Sequence, residues 1–289
     1  MQRNHRKQLV TAIATLLITT PLWATNGYYT HGTGTKNKAM AGAGIALPED
    51  AIAVVNNPAV ATEVGDQFVF GAALFSPIRK YSTSQSDLNG NFGAITIGPN
   101  SITSDEEYFV IPHIAKSWQL DNGNALAASF YGRGGMNTTW KGGTATFDPD
   151  GPGPAPLGTY PGTYGAGIFG GDGTAGVNLS QAFLDLTWAK KLNDQFSIGV
   201  AGILVAQWFE AQGVMSFAPL TETYAAGAIQ GAPVMPQNLS NNGHDWSYGY
   251  GLKVGLHWKP TDRVSFGMMY QTKIWMTDFD KYADLFAEQ

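Results

Sequence analysis

The stretch HDWSYGYGLKVGLHWK, residues 244–259, narrows the choice of fold more than any other part of the chain. Its even positions, Trp246, Tyr248, Tyr250, Leu252, Val254, Leu256 and Trp258, are all apolar or aromatic. Its odd positions, Asp245, Ser247, Gly249, Gly251, Lys253, Gly255 and His257, are small or polar. A repeat of two belongs to a strand, whose successive side chains leave on opposite faces. Tryptophan at both ends of the apolar row, with aliphatics between, suits a strand that crosses a bilayer and rests its aromatic rings at the two interfaces. A soluble sandwich also alternates, but its buried face rarely carries Trp at both ends of one strand.

Six other segments follow the same plan from Gln67 onward. QFSIGVAGILVAQW turns Phe196, Ile198, Val200, Leu204 and Trp208 to one side. QAFLDLTWAKKL sets Leu184, Leu186 and Trp188 against Gln181, Asp185, Thr187 and Lys191. RVSFGMMYQTK sets Val264, Phe266, Met268 and Tyr270 against Arg263, Ser265, Gly267, Gln271 and Lys273. QFVFGAALF, EYFVIPHIAKSWQL and ALAASFYGRGG are less regular, and Lys116 interrupts the apolar row of the second. Charged residues make up only 13% of the chain, too few to cover a water-facing surface, while a mean hydropathy of -0.11 rules out a bundle of membrane helices. A transmembrane antiparallel β-barrel reconciles the two, since only alternate residues face lipid.

The links agree. DNGN (121–124), NDQ (193–195) and KPTD (259–262) are tight, whereas the stretches near 82–106, 136–178 and 211–243 are long. Strict alternation of short and long links is the habit of outer-membrane barrels, with short periplasmic turns and long external loops. The longest loop, GTATFDPDGPGPAPLGTYPGTYGAGIFGGDGTAG, is either a disordered cap or a structured lid. Seven strands cannot close a bacterial single-chain barrel, which needs an even number, so the expectation is that a longer protein continues beyond this sequence.

Residues 1–24 read as a secretory signal: Arg3, Arg6 and Lys7, then the apolar run LVTAIATLLITTPL, then a small residue at Ala24. Its removal leaves 14 basic residues against 22 acidic ones and no basic run, which argues against a nucleic-acid partner. With no cysteine there is neither a disulfide nor a thiolate metal site. Residues 25–65 are too small and Gly-rich to fold alone. Within them PEDAIAVVNNPA predicts a short helix that starts at Pro48 and presents Ala51, Ile52 and Val55 on one face. Asn56-Asn57-Pro58 then stops it, because the residue before a proline leaves helical geometry. Residues 66–289 are the barrel portion.

A leader, a Gly/Ala stretch, an acidic pair, the triplet Asn57-Pro58-Ala59 and then a first strand together resemble the FadL/TodX family of outer-membrane transporters for long-chain fatty acids and aromatic hydrocarbons. The resemblance is strongest in GTGTKNKAMAGAGIALPEDAIAVVNNPA. It implies an all-β fold: a 14-stranded barrel, about seven strands of it present here, with an N-terminal hatch of short helices inside the lumen. It implies passive uptake of hydrophobic compounds by loop capture, transfer to a pocket beside the hatch, and sideways exit at a kinked third strand. On this chain the kink falls at Gly132, Gly134 and Gly135, and the hatch motif is Asn57, Pro58 and Ala59. Substrate contact is expected at Tyr28, Tyr29, Tyr131, Arg133 and Phe209. The expected setting is the outer membrane of a Gram-negative bacterium, as a monomer among outer-membrane lipid, with a hydrophobic small molecule as partner. One departure stands out. Family members that carry fatty acids place a base near the end of the fifth strand, where this chain has Glu210, and no Lys or Arg lies between Lys191 and Lys253. Arg133 and Lys253 remain, with ordinary pairing inside the lumen as their simpler role.

No catalytic pattern competes. GTGTK lacks the spacing of a phosphate loop, and neither H-E-x-x-H nor G-x-S-x-G occurs. His31, His113, His244 and His257 lie in separate segments without metal-ligand spacing, so neither a metal nor another cofactor is expected. AGAGIA does not follow a strand, which argues against a dinucleotide site. A general porin, or an exported structural or adhesion β-protein, is the alternative.

Overall fold

The computed structural model describes residues 28–84, 95–97, 100–141, 145–147, 160–161 and 174–286. The expected leader, the first residues after it and much of the longest loop lie outside these. All seven alternating segments are strands of one antiparallel sheet: β1 Gln67–Phe75, β2 Phe109–Gln119, β3 Asn124–Lys141, β4 Thr174–Lys191, β5 Phe196–Gln212, β6 Asp245–Thr261 and β7 Val264–Gln271. Each pairs with the next in chain order. Beyond β7 the strand is interrupted for three residues and pairing resumes beside β6, where Trp275 faces Tyr250 and Met276 faces Gly249. Among the described residues β1 and β7 do not pair, so the sheet is a half-barrel.

The alternation sorts the two faces as expected. Phe70 is 73% exposed and Met268 71% exposed, and with Leu186, Leu204, Leu252 and Phe266 they cover the outer side in apolar surface. A continuous patch of that kind needs a partner other than water. Lys116 does sit in the outer row, but near the end of β2, with its ammonium 5.7 Å from the centroid of the Trp118 ring. There its stem lies along apolar surface and its charge can reach the interface.

Strand ends depart from expectation. β3 runs on to Lys141 and β4 begins at Thr174, so both ends of the region read as loop, 136–141 and 174–178, are paired strand, Asn137 facing Asn178 and Thr139 facing Gly176. Each is 18 residues long, well past the roughly 9–11 that cross a bilayer. Polar residues occupy both faces there, which erases the period-two signal. The long links also carry pairing of their own: Lys80–Thr83 with Asn100–Thr103, and Ile95–Ile97 with Ala145–Phe147, which pairs in turn with Tyr160–Pro161. The described parts of the longest loop are therefore β-paired.

The N-terminal segment lies on the inner face. It contains α1 (Thr35–Ala39), 3-10 turns at Ala51–Val55 and Pro58–Val60, and α2 (Ala61–Val64). The expected helix start at Pro48 is corrected. Asp50 is the cap, its carboxylate accepting the Ile52 N–H at 3.3 Å, so Pro48 and Glu49 stay outside. All five residues of Ala51–Val55 are buried, not one face alone, because the turn is enclosed by wall and neighbouring turn. Ile52, Val54, Val55, Val60 and Val64 pack on Ala115 of β2, Ala125 and Ala127 of β3, Ala189 of β4, and Ile203 and Val205 of β5. Small wall residues admit the close approach, and each valine or isoleucine so enclosed is worth about 1.5–3 kcal/mol.

Candidate functional site

Three features mark the inner face where this segment meets the wall. The first is a break in the wall. β2 and β3 pair from Gln119–Ala125 to His113–Tyr131 and no further. The next residue of β2 is Pro112, which has no N–H to give. The next residues of β3 carry the glycines: between Gly132 and Gly135 its register with β4 slips, two residues of β3 standing opposite Gln181 alone. That is a β-bulge at the expected position. The freed edge of β3 is taken instead by the chain's own N-terminal residues. Tyr29 forms a bridge with Gly134, the Thr30 N–H donates to the Arg133 carbonyl at 3.2 Å, and the Gly135 N–H donates to the Tyr28 carbonyl at 3.2 Å.

Aromatic groups gather at that break. The Tyr28 and Tyr29 rings stack with centroids 4.8 Å apart, and the Arg133 guanidinium lies 5.4 Å from the Tyr29 centroid. Burial, with Tyr28 alongside, pushes the Tyr29 hydroxyl up to about 12, so it remains a neutral donor at ordinary pH. Tyr131 is fully buried, stacked on Phe183 at 5.4 Å, its hydroxyl 3.3 Å from both Asp185 oxygens.

The second feature is a buried charge pair. The Lys253 ammonium reaches the Asp185 carboxylate at 2.8 Å with both side chains 0% exposed, and it also donates to the Val55 carbonyl at 2.7 Å. Lys253 is thus committed to pairing, and it ties the N-terminal segment to the wall. The third is the seat of Asn57-Pro58-Ala59. Asn57 is fully buried; its amide donates to the Ile45 and Leu256 carbonyls at 3.0 Å each, and its side-chain oxygen accepts the Ala59 N–H. Facing it, Gly199 of β5 and Gly255 of β6 are direct partners across the ladder. A Cβ on Gly255 would fall 2.0 Å from Asn57 Oδ1, and one on Gly199 2.4 Å from the Pro58 carbonyl carbon. The glycine pair is a notch for the triplet, and the sequence reading missed it; the signal was inward Gly199 on β5, while Gly255 was one of three inward glycines on β6 with Gly249 and Gly251.

The structure brings Tyr28, Tyr29, Tyr131 and Arg133 to one place with Gly132, Gly134 and Gly135. Phe209 is elsewhere, in a second cluster with Leu179 and Tyr282, its ring 5.4 Å from Phe279 and 5.3 Å from Phe286. Glu210 lines a polar cavity of ≈ 370 Å³ with Glu106, Thr138, Lys141, Asn178 and His244. It faces His244 at 3.5 Å, and Lys141 faces Asp105 at 3.1 Å. The end of β5 therefore carries an acid with an imidazole beside it.

Comparison with known proteins adds the fold. No protein-family model matches the chain, and no curated protein sequence does. Among solved structures the chain is similar to the toluene transporter TodX of Pseudomonas putida, at 15% identity and a TM-score of 0.57, covering 86% of this chain and 57% of that one. It is similar to the toluene transporter TbuX of Ralstonia pickettii, at 17% identity and a TM-score of 0.55, covering 84% and 58%. A FadL homologue of Pseudomonas aeruginosa gives 18% identity and a TM-score of 0.54, covering 86% and 53%. The chain has the fold of these barrels and spans rather more than half the length of each.

Proposed function

We propose that this chain builds one side of an outer-membrane channel for passive uptake of hydrophobic compounds, such as aromatic hydrocarbons or long-chain fatty acids. The observation that carries the reading is the break between β2 and β3, stoppered by Tyr28–Thr30. A hydrophobic solute gains nothing from a water-filled bore, since each Å² of apolar surface given back to water costs about 25 cal/mol. It needs apolar handholds and a way sideways into lipid. In this reading the long external loops capture the compound, a pocket beside the N-terminal hatch (residues 25–65) receives it, and movement of Tyr28 and Tyr29 lets it leave between β2 and β3. The shared fold with two toluene transporters and a FadL homologue supports it. Engagement of Lys253 by Asp185, and Glu210 in place of a base, favour an uncharged substrate over a carboxylate.

The test is uptake by cells that lack their own hydrophobic-compound channels and express the whole protein. Toluene uptake above the vector control, with sugar flux unchanged, is the expected result. Brisk unselective sugar flux would instead identify a porin, and a product that stays soluble without detergent would identify an exported structural protein.

A further inference from the structure

A row of side chains crosses the inner face at the level of the bulge: Gln181 of β4 faces Gln207 of β5, which faces Ser247 of β6. Their hydrogen bonds have a fixed direction. The Thr277 carbonyl can only accept, so the Ser247 hydroxyl donates to it, at 2.6 Å. Ser247 then accepts from the Gln207 amide at 3.4 Å, which leaves Gln207 Oε1 to accept from Gln181 Nε2 at 2.7 Å. The chain of donors ends at Gln181 Oε1. That oxygen is buried and has no hydrogen-bond partner among the described residues, in a residue 9% exposed. It stands at the break in the wall: a Cβ on Gly134 would meet it at 2.4 Å and the Tyr28 ring at 2.9 Å.

We infer that Gln181 reads a hydrogen-bond donor on the passing molecule, so that the channel prefers neutral aromatics bearing one O–H or N–H group, the phenol class, to plain hydrocarbons and to carboxylates. The inference rests on the transport reading above and narrows its substrate. A hydrocarbon passing Gly134 leaves the buried acceptor unpaired, and a carboxylate brings a second acceptor against it. A phenol completes the row and lays its ring beside the Tyr28–Tyr29 stack. Orientation of the amide is set by the backbone carbonyl at the far end, so the preference is built into the fold.

The experiment compares toluene, p-cresol and the methyl ether of p-cresol in cells expressing the whole protein, each rate corrected for vector cells. One good neutral hydrogen bond corresponds to about fivefold. p-Cresol should therefore enter about fivefold faster than its ether, which has the same ring but no donor. Gln181→Leu should abolish that ratio while toluene uptake persists. Equal rates for phenol and ether in the unaltered protein would overturn the inference yet leave hydrocarbon transport standing, as would a ratio unchanged by Gln181→Leu. Should the variant fail to reach the membrane, the phenol-to-ether ratio of the unaltered protein decides alone. Uptake of none of the three would overturn the transport reading, and this inference with it.

Discussion

Lys253 is the residue whose removal should cost most. It is wholly buried between Asp185 and the Val55 carbonyl, and Lys253→Met would strand the carboxylate in a dry site, leaving it the Tyr131 hydroxyl as its hydrogen-bond partner among the described residues. Breaking one partner of a buried pair typically costs about 3–5 kcal/mol, whereas replacing both by apolar groups is often close to neutral. Thermal unfolding of the whole protein in detergent, followed by its heat-modifiable gel shift, should thus fall sharply in the single variant and recover in Lys253→Met with Asp185→Leu. A double variant as unstable as the single one would show that the pair is not the term that matters. The inward glycines offer a finer test. Gly199→Ala forces a methyl into the Pro58 backbone and should cost about 1–3 kcal/mol, while Gly202→Ala, on the outward face of the same strand with nothing within 4 Å among the described residues, should stay within about 0.5 kcal/mol. Equal losses for the two would sink the notch. At this scale the sequence was only partly readable. Asn57-Pro58-Ala59 announced itself, but its partners lie about 140 and 200 positions away, and no local pattern can say which wall glycine faces which hatch residue.

Among the elements, β3 was foreseen to bend at its glycines, and its register does slip between Gly132 and Gly135. Half of the cause went unread, because it sits on the neighbouring strand. VIPHIA looks like an ordinary apolar run until β2 is aligned with β3 and Pro112 falls just where pairing stops. Proline removes a ladder donor and is confined to edges and irregularities of a sheet. Pro112→Val should return the donor and let β2 zip onto β3 past His113. A Cβ at Gly132 would already touch Ile111 at 3.3 Å, so the two strands are near enough to close. The expected outcome is a more heat-resistant barrel with toluene uptake reduced several-fold and sugar flux unaffected. Unchanged uptake in a stabilised variant would mean that exit does not run between these strands. The seven wall strands were legible because their outward and inward residues contrast in hydropathy, whereas the short pairings inside the long links, such as Lys80–Thr83 with Asn100–Thr103, were not. Strand ends were not, because Asn137, Thr138, Thr139, Gly176 and Asn178 carry no such contrast although they pair fully.

For the molecule as a whole the question is what holds the N-terminal segment where it is, and what its absence would leave. The wall's ladders run strand to strand without it, so the half-barrel keeps its backbone bonding if residues 25–65 are deleted. The core on the inner face, by contrast, depends on that segment: Ile52, Val54, Val55 and Val60 pack against wall alanines and against Tyr131, Phe183, Ile203 and Val205. Taking the segment away exposes small side chains, the edge of β3 once bridged by Tyr29, and a Lys253 that keeps Asp185 but loses Val55. Water can solvate such a surface, and it has room to do so only if the deleted residues had occupied the bore. The whole protein lacking residues 25–65 should therefore still insert and still shift on heating, at a lower temperature. In planar bilayers its single-channel conductance for small ions should rise severalfold, and liposomes carrying it should swell in sugars that the intact protein excludes. A Tyr28→Ala, Tyr29→Ala variant separates the two duties of the segment: it loosens the stopper at the break but leaves the buried core in place. It should change hydrocarbon uptake without raising ion conductance. If the deletion leaves conductance where it was, the segment does not fill the lumen, and the route from loops to pocket to lateral break loses its starting geometry.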